Sequence, residues 1–476
     1  MNASSSIGFS EAGAETLLSV FSFQRLIYLI RFSRFHMNIV SLLFVAWFIS
    51  IFILIISEKL DKSLAAMLGA LGIIIIGVLF DVFSYSETFE FLDLGVIGIL
   101  IGTFMMTEVA EEVGVFEYLA IRFLKVSRGE PRRLFLLFSI LMVLLSSILS
   151  NLVATVLISS LTIVACRNLG LDPKPYIFGE AIFANLGGLL TLISSVPNIL
   201  VSLAAGIGFL EYLLVSLPLS VIVGVISFLL LMRILKVRGA ESEEDMEALR
   251  KKVETFDEWS VVKDKRAFRN MIIVIGAVLV LFVISDWLSY GLEFIAISGA
   301  AASILLTGTD IENILSKLDW GIIFFVGPLL VLVDGFSRLG LIRQLSGVIV
   351  NLSSDNYILL GVTLIWLVGI LSSLIVDIPL TAALIPIVEE ASIILQREVS
   401  LLWWALIFGI GLGANYTPFG SSSTIIALSV LRKEQDVKFS EFSRVGIIIC
   451  TIQLFIGTLY LVLNELVFNS PGVGLL

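Results

Sequence analysis

Apolar runs of bilayer length alternate along this chain with polar breaks, and the order of the breaks repeats. Runs such as IVSLLFVAWFISIFILIIS (39–57) and MIIVIGAVLVLFVISDWL (271–288) have the length at which a helix crosses a hydrocarbon core. The pattern predicts five full spans in the first half, at about 38–57, 63–80, 92–109, 175–200 and 212–235, with counterparts in the second. Two further runs, 134–167 and 360–396, stay apolar for about thirty-four residues but carry SNLVAT or VDIPLT in the middle. Two full spans joined by a tight turn need about 20 apolar residues on each side. Each arm here has only about sixteen, so each run is expected to be a re-entrant hairpin with its polar tip near the bilayer midplane.

A shift of 226 residues superposes the two halves over roughly a hundred positions without a gap. LDLGVI (92–97) falls on LDWGII (318–323), Glu108 on Asp334, Gly114 on Gly340, and SSILSNLVAT (146–155) on SSLIVDIPLT (372–381). LGGLLTLISS (186–195) falls on LGANYTPFGS (412–421). Five spans is an odd number, so the second repeat enters from the opposite side and the repeats are inverted. The expected fold is an all-α polytopic membrane protein of two inverted-topology repeats, each with a hairpin and a broken helix.

The chain then divides into an N-terminal segment (1–37), a first repeat (38–235), a linker (236–269), a second repeat (270–468) and a short tail (469–476). The linker holds nine Lys or Arg, and its SEEDMEALRKKV stretch reads as a surface helix with acids in the first turn. Loops 122–133 and 432–444 carry five and four basic residues. Those loops and the linker are therefore expected on the cytoplasmic side. The outer candidates, 81–91 and the tail, carry none. On this path the N-terminal segment, with Arg25, Arg31, Arg34 and His36, lies outside; its LLSVFSFQRLIYLI stretch can lie in the interface or span weakly.

Composition agrees with a multi-pass protein of the cell membrane: 58% of residues are hydrophobic, 15% are charged, and mean hydropathy is +1.06. A secretory signal is not indicated, because the first long apolar run starts near residue 38 and lacks a small-residue cleavage site. The net charge of −10 argues against a nucleic-acid partner. Cys166 and Cys450 stand inside apolar runs, which leaves neither a disulfide framework nor a Cys-rich metal site, and no cofactor is expected.

The candidate chemistry lies in the breaks. Non-helical backbone inside a bilayer leaves N–H and C=O groups unpaired unless it is buried in protein or lines a watery cavity. Gly187, Gly188, Pro197 and Asn198 interrupt one half, and Thr417, Pro418 and Gly420 the other. Corresponding breaks in inverted halves are the pattern of a secondary transporter site: helix N-termini hold an anion, while carbonyls and hydroxyls coordinate Na⁺. Asp377, the acid at the second hairpin tip, has no Lys or Arg near it in sequence. A carboxylate there is by default functional and can take a cation or a proton. Its repeat partner is the neutral Asn151, so the two sites are chemically unequal. Glu180, a turn or two into its helix, is the second candidate coupling acid. Asp93 and Asp319 each open a span, the ordinary place for a capping acid, and Glu108 and Asp334 read as interfacial.

TLISSVPNILVSLAAGIGFLEYL (191–213) and NYTPFGSSSTIIALSVL resemble signature segments of the ion transporter superfamily, in the arsenite permease and NhaD-type Na⁺/H⁺ antiporter branch that includes the P protein. The resemblance covers about residues 60–465. It implies two hairpins, an elevator-like movement of hairpins and broken helices against a scaffold, and often a homodimer. Hairpin tips of that branch typically read Asp-Asn. Here Ser150-Asn151 is closer to the Ser-Asn-Thr of dicarboxylate and sulfate symporters, and Val376-Asp377 puts an acid in the Asn place. The glycine- and threonine-rich break matches through Gly187, Gly188, Thr191, Pro197 and Asn198, and again through Asn415, Thr417, Pro418 and Gly420.

The resulting expectation is a secondary transporter of the arsenite permease/NhaD type, moving a small inorganic ion or anion with H⁺ or Na⁺. Asn151, Thr155, Asp377 and Thr381 would form the tips; Thr191, Ser194, Ser195, Asn198, Asn415, Thr417, Ser421 and Ser422 would supply oxygens and amides. A site without a basic side chain favours a neutral substrate such as arsenous acid, or a cation, unless helix N-termini compensate. The rival within transport is a Na⁺-coupled dicarboxylate or sulfate symporter. No nucleotide-binding loop is present, so energy would come from an ion gradient or a separate ATPase subunit. With one central Asp and one His in the chain, an intramembrane aspartyl protease or metalloprotease is a distant alternative, and a passive channel suits broken inverted repeats poorly.

Overall fold

The computed structural model describes residues 39–468, except 58, 149–150, 238, 240–241, 341, 344–345, 348–349, 351–355 and 396–399. The N-terminal segment with His36, the tip residue Ser150 and the C-terminal tail lie outside the described residues. Among the described residues the structure is all helical, and ten helices are long and apolar enough to cross a membrane.

The first half runs α1 (Ile39–Ser57), α2 (Lys62–Leu79), α3 (Leu94–Glu112), α4 (Val115–Ser127), α5 (Pro131–Ile148), α6 (Asn151–Leu169), α7 (Lys174–Leu190), α8 (Val196–Ala205) and α9 (Phe209–Ile234). After α10 (Glu243–Glu254) in the linker, the second half runs α11 (Lys265–Val283), α12 (Leu292–Thr307), α13 (Ile311–Lys317), α14 (Trp320–Ser337), α15 (Tyr357–Ser372), α16 (Asp377–Leu395), α17 (Ser400–Gly413), α18 (Ser422–Arg432) and α19 (Phe439–Phe468). The starts of α3 and α14, α5 and α15, α6 and α16, α7 and α17, and α8 and α18 all stand 226 residues apart, the offset of the sequence repeat.

Contacts at the ends of α3 and α14 are compatible with the inversion. Glu112, the last residue of α3, pairs with Lys317 Nζ at 2.8 Å and accepts from Asn313 Nδ2 at 2.6 Å, just before α14 begins. The far end of α14 returns to the start of α3, where Arg338 sits over the Phe91 ring at 5.2 Å. These two counterpart helices therefore run antiparallel. Their caps are local and sequence-encoded: Asp93 accepts from the Gly95 and Val96 amides, and Asp319 from the Ile322 amide, which is the capping role expected of both acids.

The helices gather into two bodies. α1–α3 pack against α11, α12 and α14, with α3 on α12 and α2 on α14, the exchange that a pseudo-twofold axis requires. Phe48 of α1 stacks on Phe336 of α14 with centroids 4.3 Å apart. The second body holds the hairpins α5–α6 and α15–α16 and the broken helices α7–α8 and α17–α18, backed by α9 and α19. Gln453 Nε2 donates to Ser227 Oγ at 2.9 Å between α19 and α9. These residues are themselves repeat mates, so the axis passes between them.

The hairpin arms correct one sequence expectation. They have 18 and 19 residues in the first hairpin and 16 and 19 in the second, three of the four longer than about sixteen; in the first hairpin polar residues such as Arg132, Arg133 and Arg167 continue the helices past the apolar runs. Arm length alone would let α5, α6 and α16 cross a bilayer. Re-entrance follows instead from where the tips stop. They meet breaks flanked by helices of 17 and 10 residues in one half and 14 and 11 in the other. At 1.5 Å per residue the breaks lie at least about 15 Å from either end of their helix pairs. The expected single span at 175–200 is thus two helices with a break between them.

α4, which the sequence reading treated only as a basic loop, is an amphipathic helix linking the two bodies. Left-handed Gly114 (φ +81°) and Gly129 (φ +73°) flank it. The linker lies along it: Glu258 pairs with Arg122 at 3.2 Å and Lys125 at 2.5 Å, and Trp259 packs on Tyr118 at 4.7 Å. The Lys125 ammonium holds the Glu258 carboxyl below the ordinary glutamate value of 4.5. A lowered carboxyl contributes to docking above its unfolded value, and that contribution is lost as pH falls through the folded one. Glu258→Gln is expected to expose the basic residues of α10 to trypsin severalfold faster at pH 7; unchanged cleavage would show that the aromatic contacts suffice.

Candidate functional site

The two breaks are built alike. Each passes through an extended Thr (Thr191, φ −125°, ψ 155°, directly after α7; Thr417, φ −133°, ψ 159°, after a turn at 414–416 that follows α17), makes one 3-10 turn, and enters the next helix through an extended Ser (Ser195, φ −145°, ψ 147°; Ser421, φ −147°, ψ 136°). Pro197 opens α8 and Pro418 opens the 3-10 turn that ends at Gly420, positions where the missing N–H costs nothing. Gly187 and Gly188 are not part of the break. Both remain in α7, where Gly187 lets the backbone of Val143 approach and Gly188 carries the Asn151 amide against it.

Side chains tie each break to its hairpin. Thr191 Oγ1 donates to Ser147 O at 2.5 Å, and its repeat mate Thr417 Oγ1 donates to Ser373 O at 2.7 Å. In the first break, Ser194 Oγ and Asn198 Nδ2 both donate to Gly188 O at 2.7 Å and also reach Thr191 O. Those freed carbonyls are therefore already satisfied. At the tips, Thr155 and Thr381 donate to the carbonyls of Asn151 and Asp377 at 2.6 and 2.7 Å.

A cavity of about 110 Å³ lies where the tips meet the breaks, room for several waters or a small ion. The structure brings Asn151, Ser194, Ser195, Pro197, Asp377, Ser421 and Ser422 to its wall, together with Ser423. Thr155, Thr191, Asn198, Thr381, Asn415 and Thr417 support the tips and breaks without lining it. The opposite wall comes from the other body: Leu100, Thr103 and Phe104 of α3 and Ile322 of α14.

Four helices begin at this cavity: α6 at Asn151, α8 at Val196, α16 at Asp377 and α18 at Ser422. Each N-terminus carries about half a positive charge and unpaired amides. Asp377 is the one charged side chain among the described residues on the wall; its Oδ1 accepts from Ser372 Oγ at 3.2 Å. Across the cavity Asn151 Oδ1 is buried without a hydrogen-bond partner. Glu180 lies elsewhere, buried between α6 and α7, where it accepts from Ser159 Oγ at 3.1 Å and from Thr162 Oγ1.

Sequence reasoning missed Asn185. Its Oδ1 accepts from Ser421 Oγ at 2.7 Å and Ser423 Oγ at 3.0 Å, and its Nδ2 donates to Asn415 Oδ1 at 2.9 Å. Asn415 Nδ2 continues to Gln453 Oε1 at 3.0 Å. Asn185 aligns with Gly411, so a search for polar pairs at the repeat offset passes over it.

A sequence model described as Citrate transporter (CitMHS) matches residues 52–409, most of the chain. The chain belongs to the citrate transporter family. It is a membrane transporter and a multi-pass integral membrane protein. A 46 kDa membrane protein of Mycobacterium leprae is 30% identical over 437 residues, covering 90% of this chain and all of the relative. The P protein of Mus musculus is 26% identical over 502 residues, covering 89% of this chain and 60% of that protein. Among solved structures the YdaH transporter of Alcanivorax borkumensis aligns with a TM-score of 0.55 at 15% identity, over 91% of this chain and 99% of that one, a likeness of fold. The superfamily branch and the all-α polytopic membrane fold are both borne out.

Proposed function

We propose that this transporter carries a small carboxylate anion together with a cation, Na⁺ or H⁺, held at Asp377. The convergence of four helix N-termini on one cavity carries this reading. Together they supply about two positive charges' worth of partial charge against a single carboxylate. This supports an anion where a wall free of Lys and Arg had suggested a neutral substrate or a lone cation, and the family's description as citrate transporters points to a carboxylate. Asp377 supplies the counter-site: ionised, it binds the coupling cation beside the anion, and with both bound the charge of the cavity is balanced. The cavity wall is divided between the two bodies, and this division supports an elevator-like step in which tips and breaks slide past α3 and α14 with the cargo between them.

Purified protein in liposomes, given citrate, succinate, sulfate or arsenite with imposed Na⁺ or pH gradients, tests the proposal. A carboxylate should accumulate only when the cation gradient points inward. Sodium efflux driven by a pH gradient with no anion uptake, or arsenite movement alone, would replace it with an exchanger or an arsenite permease.

A further inference from the structure

The hydroxyls on the Asp377 side of the cavity can either donate or accept, and what lies behind them decides which. Ser421 and Ser423 line the cavity, and behind both stands Asn185 Oδ1, 2.7 and 3.0 Å away. An amide oxygen only accepts, so Asn185 Oδ1 takes the proton of at least one of the two hydroxyls. Either hydroxyl can donate to the other across their 2.6 Å contact, and in every arrangement both protons are used among Asn185, Ser421 and Ser423, which leaves lone pairs for the cavity. Asn185 is buried and lines no part of the cavity.

We propose that Asn185 is a positioning residue that fixes the sign of the charge accepted at the second break. By ending the hydrogen-bond chain of Ser421 and Ser423 at an acceptor it leaves both oxygens as acceptors toward the cavity, and it thereby directs the coupling cation to the space between them and Asp377. The first break has no such device: Ser194 and Asn198 are spent on its own carbonyls, and the repeat mate of Asn185 is Gly411. The anion is left to the amides at the starts of α6 and α8.

A chain of amides holds the arrangement. Asn185 Nδ2 donates to Asn415 Oδ1, Asn415 Nδ2 to Gln453 Oε1, and Gln453 Nε2 to Ser227 Oγ. Every link is neutral and satisfied, and the three amides can reverse only as a unit, with Ser227 becoming the donor. In the reversed state Asn185 would donate to the serines and free at least one of their protons for the cavity, which suits an anion. A cation at the second break and the orientation seen here therefore stabilise each other.

The inference rests on the coupling cation proposed above, and the test separates the two. Substrate uptake by the full-length protein in liposomes is measured against Na⁺ at fixed pH and against pH at fixed Na⁺, for wild type, Asn185→Leu and Asn185→Asp. Aspartate can only accept, and the amide chain can reverse behind it without losing a bond. Asn185→Leu should raise the half-saturating concentration of the coupling cation at least about tenfold, with substrate half-saturation and maximal rate at saturating cation within about twofold of wild type. Asn185→Asp should hold or tighten cation dependence, and does so as the informative variant if the leucine protein does not fold. A wild-type protein indifferent to both cations would overturn the coupling and this inference with it. Coupled wild-type uptake with unchanged cation dependence in Asn185→Leu, or weakened dependence in Asn185→Asp, would overturn this inference alone.

Discussion

Asp377→Asn is expected to abolish cation-coupled uptake, by at least about 100-fold, while leaving the protein as stable as wild type or more so. The two signs follow from one cause. A carboxylate at membrane depth costs about 2.5–3.5 kcal/mol, and its partner here is a single hydroxyl, Ser372 Oγ at 3.2 Å. Asparagine has the same shape, can still accept from Ser372, and reproduces what the first hairpin already carries at Asn151. Folding therefore gives up the attraction of the α16 N-terminus for the carboxylate but sheds a buried charge; transport loses the one anionic side chain among the described residues on the cavity wall. The measurement pairs uptake under an inward cation gradient with thermal unfolding in detergent. Dead uptake with an unfolding midpoint equal to or above wild type supports the coupling role. Retained coupled uptake would sink it, and dead uptake with a much lower midpoint would make Asp377 a structural acid.

The sequence revealed the architecture because a membrane simplifies the code. Apolar runs of fixed length, a basic-loop bias and one offset between halves led to the repeat boundaries, and helices α6 and α16 start at the very tip residues, Asn151 and Asp377, that the alignment paired. Acids that open helices, Asp93 and Asp319, were readable as caps for the same local reason. Three kinds of feature were not readable. Arm length counted only apolar residues, whereas helices continue through Arg132 and Arg167 into the headgroup region. Glycine was taken as a breaker, yet Gly187 and Gly188 serve close approach inside an unbroken helix, a use that depends on a neighbour the sequence does not place. Asn185 acts across the halves on Ser421 and Ser423, and a contact of that separation leaves no mark in a periodic pattern.

The difference between the halves follows from that cross-half contact. Both breaks share backbone geometry, so the fold alone would make two equal sites. Asn151 against Asp377, and Asn185 against Gly411, make them unequal, and the two substitutions act in the same direction: each makes the second break the more negative, acceptor-rich side.

The glycines at the crossings give the largest expected effect on folding. Gly187 and Gly413 are repeat mates, and each lets its broken helix touch the first arm of its own hairpin, Gly187 at Val143 and Gly413 at Gly369, which are repeat mates in turn. A Cβ at Gly413 would overlap the backbone of Gly369, and backbone cannot rotate aside as a side chain can. Overpacking a core costs about 1–3 kcal/mol where side chains can yield. Gly413→Ala should therefore cost about 3 kcal/mol or more, because α17 must shift bodily and carries with it Thr417 and the second break. At about 2.1 cal/mol/K of unfolding entropy per residue, a chain of 476 residues shifts by about 1 °C per kcal/mol, so the unfolding midpoint should drop by roughly 3 °C, and uptake should fall with it because the cavity wall is displaced. Gly276 of α11 is the matched control: it is helical, and nothing lies within 4 Å of where its Cβ would stand, so Gly276→Ala should behave as wild type or better. If Gly413→Ala melts alongside Gly276→Ala, the close crossing is dispensable and the positions of the two breaks must be set by the hydroxyl bonds of Thr191 and Thr417 instead.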